Sequence, residues 1–293
     1  MEEVRYTPEE LRQLQLIELE MIVEVDRICR KNNIKYSLDG GTMLGAVRHK
    51  GFIPWDDDAD IIFAREEYDK FVEACKNDLD EQRFFFQDDT TDPYYRWGYG
   101  KMRRLDTEFV RAGQEHMKYR TGVCIDIFPE DKVPTGILRR RMYYGINYCL
   151  RKIMYSELGK KNQEKWLTRV WFSLLSLIPI KLVFKIWKKM AYHYNKYDSE
   201  LVCHTMLPNP GPKCKYGMPA ESLADFIQME FEGMMFSVSK DWDRFLELSY
   251  GEYMKLPPVE KRTGPGHPSK IRLIDITLEE VQERYNSDNR QYY

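Results

Sequence analysis

The sequence predicts an α/β protein of the α+β kind, a mixed sheet with flanking helices and an appended helical region. Three observations predict it. Gly40-Gly41 opens a helical stretch, and Asp58-Ala59-Asp60 then leads into the apolar pair Ile61-Ile62. That is the order of a strand, a tight turn, a helix and a returning strand. Residues 84–128 hold four short strand-like runs, and residues 136–197 change to long helical patterns rich in Lys, Arg, Tyr and Trp.

Each element has its own signal. Thr7-Pro8-Glu9-Glu10 is a capping box with proline at the first helical position. The helix it opens carries Leu11, Leu14, Ile17, Met21, Val25 and Ile28 at helical spacing and stops at Asn32-Asn33. A short strand, Ile34 to Leu38, delivers the chain to the glycines, and a helix follows from Thr42 to His49. Beyond Lys50-Gly51 and the Ile53-Pro54 break come a strand from Asp60 to Phe63 and a helix from Glu66 to Cys75. Strands are expected at Phe84–Gln87, Trp97–Arg104, Glu108–Arg111 and Val123–Phe128, and helices from Gly136 to Tyr197. Pro208 to Pro219 reads as a loop, Phe226 to Phe231 as a strand, and Asp241 to Tyr250 as a helix capped by Ser239. The expected organisation is a catalytic core over residues 1–134 and a helical insertion over 135–200, facing membrane or acceptor. Residues 201–293 then pack back on the core.

The bulk properties narrow the function. A chain of 293 residues can bury a substantial core. A net charge of −2 and a pI near 6.3 give no bulk attraction to nucleic acid, so none is expected as a partner. The N-terminal residues lack the basic and apolar segments of a signal peptide, and the longest apolar run, Val170 to Ile180, is too short to span a bilayer. Cysteines 29, 75, 124, 149, 203 and 214 form no C-x-x-C pair and are expected as reduced thiols. These points place the protein in the cytoplasm, with a peripheral position at the inner face of the membrane open to it. In residues 163–190, Trp166, Val170, Trp171, Leu174, Leu175, Ile178, Leu182, Val183, Ile186 and Trp187 are interleaved with Lys165, Arg169, Lys181, Lys185, Lys188 and Lys189. That pattern fits shallow membrane contact and, equally, a helical hairpin packed on the catalytic part.

The chemistry concentrates at the glycines and aspartates. On a strand, Asp58 and Asp60 would share a face. Adjacent carboxylates repel unless a cation lies between them, and Mg²⁺ with a phosphate in its shell suits such a pair, Mn²⁺ being the alternative. Asp126 is the only carboxylate within the apolar run Val123–Phe128, so it must be hydrogen-bonded, ion-paired or metallated. Asp56 and Asp57 read equally as a solvated loop or as added charge. Backbone N–H groups of Gly40, Gly41 and Thr42, at a helix N-terminus, suit a phosphate. Arg48, Lys50, Lys101, Arg103 and Arg104 are candidates for phosphate oxygens, with surface solvation the default reading, above all for Arg103 and Arg104. Tyr94, Tyr95, Trp97 and Tyr99 could stack on a base or cage a quaternary ammonium. Cys203, His204, Cys214 and His193 match no standard zinc spacing. A G-x-S-x-G elbow and an H-E-x-x-H helix are both missing, so acyl transfer and zinc hydrolysis lose ground. The reading is a metal-dependent phosphate-transfer site.

The run from Gly40 to Ile61 closely resembles the signature of the LicD family, which includes the fukutin-type ribitol-phosphate transferases. The resemblance continues in Val123–Pro129, in Phe231-Glu232-Gly233 and in Tyr250–Pro258. It implies a nucleotidyltransferase-like fold in which Asp58, Asp60 and Asp126 are the catalytic and metal-binding carboxylates. It also implies that Gly41 and Thr42 form the phosphate turn and that Glu232 lies near the active site. Such enzymes move a phospho-alcohol, such as phosphocholine or ribitol phosphate, from a CDP-alcohol donor to a glycan hydroxyl and release CMP. Phosphocholine is the favoured cargo, and a lipid-linked glycan precursor the expected acceptor. The alternatives are nucleotidyl transfer with release of pyrophosphate, and a non-catalytic scaffold for glycan assembly.

Overall fold

Thr7 opens the first helix as the sequence indicates. In a computed structural model describing residues 6–204, 214–264 and 266–289, its side chain accepts the Glu10 N–H (3.1 Å) while Glu10 accepts the Thr7 N–H (2.8 Å). Helix α1 (Pro8–Lys31) departs from expectation in one respect. It is buried on every side from Leu14 to Asp26 rather than along one stripe. The reason is its place between the sheet and the C-terminal helix α9 (Leu278–Asn289). Three of the acids this buries are paired: Glu24 with Arg27 at 2.8 Å, Asp26 with Arg30 at 2.7 Å, and Glu20 with Arg83 at 3.0 Å, Arg104 at 2.7 Å and also Arg284. Arg104 is therefore not solvated, and neither is Arg103, which is buried and donates to the Gln87 side chain and to the Gly122 carbonyl.

Strand β1 (Ser37–Leu38), shorter than expected, leads into helix α2 (Gly40–His49), strand β2 (Asp60–Ala64) and helix α3 (Arg65–Asp78). Strands β3 (Phe84–Gln87), β4 (Gly100–Arg104), β5 (Glu108–Arg111) and β6 (Cys124–Lys132) follow. The main sheet runs β1-β2-β6-β4-β3, and only the β2–β6 pair in it is parallel. Strand β7 (Leu201–His204) joins the second half of β6, and β8 (Met218–Pro219) joins β7.

Strand β6 extends past Phe128, where the sequence reading stopped it at Pro129. The Asp126 N–H points to β2, bonding the Ala59 carbonyl at 2.9 Å. Alternation then directs the position of Pro129's missing N–H to the opposite side. There, pairing with β4 ends at Ile127 and pairing with β7 begins at Glu130, so the proline falls in the gap.

Helices α4 (Ile137–Met154), α5 (Ser156–Asn162), α6 (Trp166–Leu175) and α7 (Ile180–Tyr194) form the expected helical stretch, with a small apolar cluster of their own around Leu150, Met154, Val183, Phe184 and Trp187. The hairpin of β9 (Phe226–Phe231) and β10 (Met234–Ser239) packs beside β1. It is fixed by Ser239 N–H to Ser37 Oγ (2.9 Å) and by Ser237 Oγ to the Tyr36 carbonyl (2.6 Å). Helix α8 (Trp242–Tyr250) begins one residue later than expected. The Ser239 hydroxyl accepts the Asp241 N–H (3.1 Å) and so closes the turn before the helix rather than its first donors. Strand β11 (Pro268–Arg272) pairs with β5. One apolar core joins residues 14–128 to the segment from Val202 to Tyr285. Of the expected Pro208–Pro219 loop, residues 208–213 lie outside the described residues, and its last two residues form β8 by pairing with β7.

Candidate active site

The sheet register draws charged residues into a line. Asp60 stands opposite Asp126 across the β2–β6 pair, and Asp126 stands opposite Lys101 across β6–β4. Asp39 extends the line on the other side, its N–H bonding the Asp60 carbonyl at 3.0 Å. Three carboxylates and one ammonium thus occupy one edge-to-edge row at the same level of the sheet. Lys101 closes on Asp126 in a direct ion pair.

Helix α2 starts against this row. Gly40 has a φ of +50°, and a Cβ there would lie 3.4 Å from the Tyr250 hydroxyl and 3.5 Å from Asp60 Oδ2. A Cβ on Gly41 would come within 2.6 Å of Asp56 Oδ2. The glycines let carboxylates approach the first turn of the helix, where free N–H groups and the positive end of the dipole favour an anion. The Thr42 hydroxyl accepts the Asp60 N–H (2.9 Å) and ties the helix to the strand that carries the row.

The loop before β2 adds more charge. Oxygens of Asp56, Asp57 and Asp58 lie within 4.8 Å of one another, and Asp57 Oδ1 also accepts the Gly266 N–H at 3.0 Å. Removal from water and the charge of Asp58 push Asp56 up to about 8. Asp58 rises to about 6, chiefly through removal from water, although the hydrogen bond from Asp56 pulls the other way. Asp60 is driven well above the carboxylate range by removal from water and by Asp58, Asp126 and Asp39. Glu18, on the buried side of α1, is raised in the same manner, with Asp58 and Asp57 as its main repulsive neighbours. Against this the cluster has Lys101 and Arg111, an exposed guanidinium whose charge Asp126 and Asp58 hold on. A set of crowded, desolvated carboxylates with orphan charge is what a hard divalent ion neutralises. The donor set therefore fits Mg²⁺ or Mn²⁺.

The structure does not bring every candidate here. Asp58 precedes β2 rather than lying on it, so its proximity to Asp60 comes from the loop and not from strand alternation. Lys101 meets a carboxylate where a phosphate was expected. Arg48 is in the last turn of α2 and donates to the Tyr253 carbonyl (2.8 Å). Glu232 lies at the far end of α2, where its N–H bonds the Lys50 carbonyl and its carboxylate takes Arg12 in two bonds of 3.0 and 2.7 Å and the Phe52 N–H at 3.1 Å. Ten helical residues, about 15 Å, separate the two ends. Tyr95 is buried against Tyr119 and out of reach of a ligand. Cys203 is buried, and His204 holds two carboxylates instead of a metal partner: Asp39 Oδ2 at 3.2 Å and Glu130 Oε1 at 3.1 Å.

Beside Lys101 and Arg111 lies a cavity of about 510 Å³ between the β4–β5 region and α4–α5. Trp97, Tyr99, Phe109, Tyr119, Tyr148 and Tyr155 supply aromatic walls, and Arg103, Arg151 and Lys152 add positive charge. No carboxylate lines it among the described residues. Anion-accepting cavity and cation-accepting cluster therefore adjoin through the Lys101–Asp126 pair.

Sequence reasoning missed Asp39, Glu18 and Arg111, met Tyr250 only as the start of a family-like segment, and weighed His204 only as a zinc ligand. Two left a signal: Asp39 directly precedes the double glycine, and Glu18 interrupts the apolar stripe of the first helix. Arg111, Tyr250 and His204 arrive from distant segments with no local pattern.

The comparisons with known proteins point to one family. Residues 33–134 match the family model described as LicD/FKTN/FKRP, nucleotidyltransferase domain, which covers Asp39, the glycines, all the loop aspartates, Lys101 and Asp126. The chain is 31% identical over 271 residues to the lipopolysaccharide cholinephosphotransferase LicD of Haemophilus influenzae, covering 90% of this chain and 98% of that protein. Local similarity extends to uncharacterized proteins of Rickettsia typhi, 46% over 63 residues (22% of this chain and 20% of that protein), and Rickettsia prowazekii, 48% over 48 residues (16% and 18%). With nearly the whole length of one relative matched and the glycine–aspartate segment gathered into a single site, the chain belongs to the LicD family.

Proposed function

We propose that this chain transfers phosphocholine from CDP-choline to a hydroxyl of a cell-surface glycan precursor, releasing CMP. As an enzyme it is a transferase of substituted phosphate groups, the class of its Haemophilus relative. The observation that carries the reading is the junction of a carboxylate cluster, a glycine-opened helix N-terminus and a cationic aromatic cavity. The cytidine end of the donor occupies the cavity, its base against Trp97 or Tyr99 and its diphosphate towards Lys101 and Arg111. The first N–H groups of α2 orient phosphate oxygens. A divalent ion, Mg²⁺ by preference, would be held by Asp58 and Asp60 with Asp56 or Asp126, and would neutralise charge on the departing CMP. The acceptor oxygen forms a bond to the distal phosphorus as the bond to the CMP oxygen breaks, and the hydroxyl proton passes to a carboxylate of the row, Asp126 in our assignment.

The test is donor-dependent product release. Purified protein is supplied with CDP-choline, CDP-ribitol or CDP-glycerol and an acceptor extract, with Mg²⁺ or EDTA. CMP from CDP-choline alone, abolished by EDTA and by Asp60→Ala, is the expected result. Pyrophosphate from a nucleoside triphosphate, or donor binding with no turnover under any condition, would overturn it.

A further inference from the structure

The helical region is charged unlike the rest of the chain. Residues 133–197 carry fourteen Lys and Arg against two Glu, in a protein whose net charge is −2. The same region exposes apolar surface. Fifteen of the twenty-one exposed large hydrophobic side chains among the described residues lie between Ile137 and Tyr197. Their arrangement is regular: in α6, Trp166, Leu167, Val170, Trp171 and Leu174 repeat at helical spacing along one side and stay 49–69% exposed, while Phe172 alone is buried. Leu177, in the bend that follows, is 77% exposed. On α7, exposed Leu182 and Ile186 alternate with exposed Lys181, Lys185 and Lys189. An apolar stripe of that size on a free-standing monomer calls for a partner.

We propose that the α6–α7 hairpin is a peripheral docking face for an anionic lipid bilayer. No single helix among the described residues is long and apolar enough to cross a membrane, but α6 and α7 together pass that test and are bent by 75° at their break. A bent pair suits shallow insertion: α6 and the bend place Trp and Leu among the acyl chains while the α7 lysines reach the headgroups. Charge selects the occupant. A second copy would set two strongly cationic faces against each other, whereas an anionic lipid surface neutralises both the lysines and the desolvation of the stripe. The hairpin also packs on α4 and α5, which form one wall of the cavity.

The experiment is co-flotation of the full-length chain with vesicles of phosphatidylcholine alone or of phosphatidylcholine with one third phosphatidylglycerol. The expected result is at least tenfold stronger binding to the anionic vesicles, weakening as salt is raised. Trp171→Ser with Leu174→Ser removes the stripe, and Lys181→Glu with Lys185→Glu removes the charge. Each pair should lower binding at least tenfold with the melting temperature kept, and if one pair unfolds the protein the other decides. Equal binding to neutral vesicles, no flotation, or indifference to both pairs overturns the proposal. So does sedimentation showing a dimer that the stripe variant dissociates while vesicles are ignored, which would give the face to a second copy.

Discussion

Asp60 and Asp126 face each other across the parallel β2–β6 pair of the main sheet, and Lys101 closes the far side of Asp126. Asp126 thus has a protein cation of its own and Asp39 has His204, whereas Asp60 is surrounded chiefly by other carboxylates. Asp60 and Asp126 should respond differently to substitution. Asp60→Asn removes a charge that burial and three carboxylates oppose, so in EDTA its melting temperature should gain on wild type as the pH rises and Asp60 ionises, while turnover falls on the order of 10³-fold. Asp126→Asn should lose similar activity but melt lower, because the largely buried Lys101 ammonium loses its counter-charge. Calorimetry with a CMP-release assay checks both, and equal destabilisation by the two substitutions would contradict the assignment.

The loop aspartates fix a pH dependence. A carboxylate whose folded-state value lies above its unfolded one binds protons more tightly when folded, so its contribution is complete below the unfolded value. It is lost as pH rises through the folded value. Asp56, raised to about 8, and Asp58, raised to about 6, therefore predict that stability in EDTA declines from about pH 4 to about pH 8. Mg²⁺ should flatten the decline by binding the ionised forms, with a melting temperature that climbs with ion concentration. A melting profile identical with Mg²⁺ and EDTA at pH 8 would show that the cluster holds no such ion.

His204 predicts a second window. Burial opposes its charge, but Glu130 and Asp39 outweigh that and lift it to about 9. Its stabilisation should be complete below about pH 6.5 and disappear as pH rises through 9. His204→Gln should cost about 1–3 kcal/mol at pH 6 and little at pH 10. Because Asp39 stands at the start of α2, donor KM should rise in the variant as well. Denaturant melts at the two pH values separate this from a pH-independent packing loss.

Glu232 provides a control for the limits of the site. Its carboxylate clamps Arg12 and the Phe52 N–H at the far end of α2, and the Arg12 side chain is 40% exposed. Glu232→Gln and Arg12→Ala should each cost about 1 kcal/mol of stability, a small figure because water screens the pair. Turnover per folded molecule and donor KM should stay within about threefold of wild type. A hundredfold drop in kcat for Glu232→Gln would place it in the catalytic machinery.

Local pattern made the outline of the fold legible. The Thr7–Glu10 capping box, the apolar runs of β2, β3 and β6, and the helical spacing of α4–α7 are all decided by neighbours within a few residues. The misreadings share one cause. Arg103 and Arg104 look like surface cations because their partners, Gln87, Gly122 and Glu20, are remote in sequence. The extension of β6 through Pro129 depends on two other strands leaving a gap at that point. Tyr95 and Trp97, two residues apart in one aromatic run, part company because only one of them faces the cavity.

The sequence by itself determined the family and the residues of the phosphate-and-carboxylate motif, because a glycine-opened turn and clustered aspartates lie within one continuous stretch. Tertiary structure decided how those carboxylates are balanced. It set Lys101 beside Asp126, supplied Arg111, Glu18, Tyr250 and His204 from distant elements, and sent Glu232 to the other end of α2. The physical reason is range: backbone preferences act over a turn or a strand, whereas the charge a carboxylate feels is summed over everything the fold brings within a few ångströms of it.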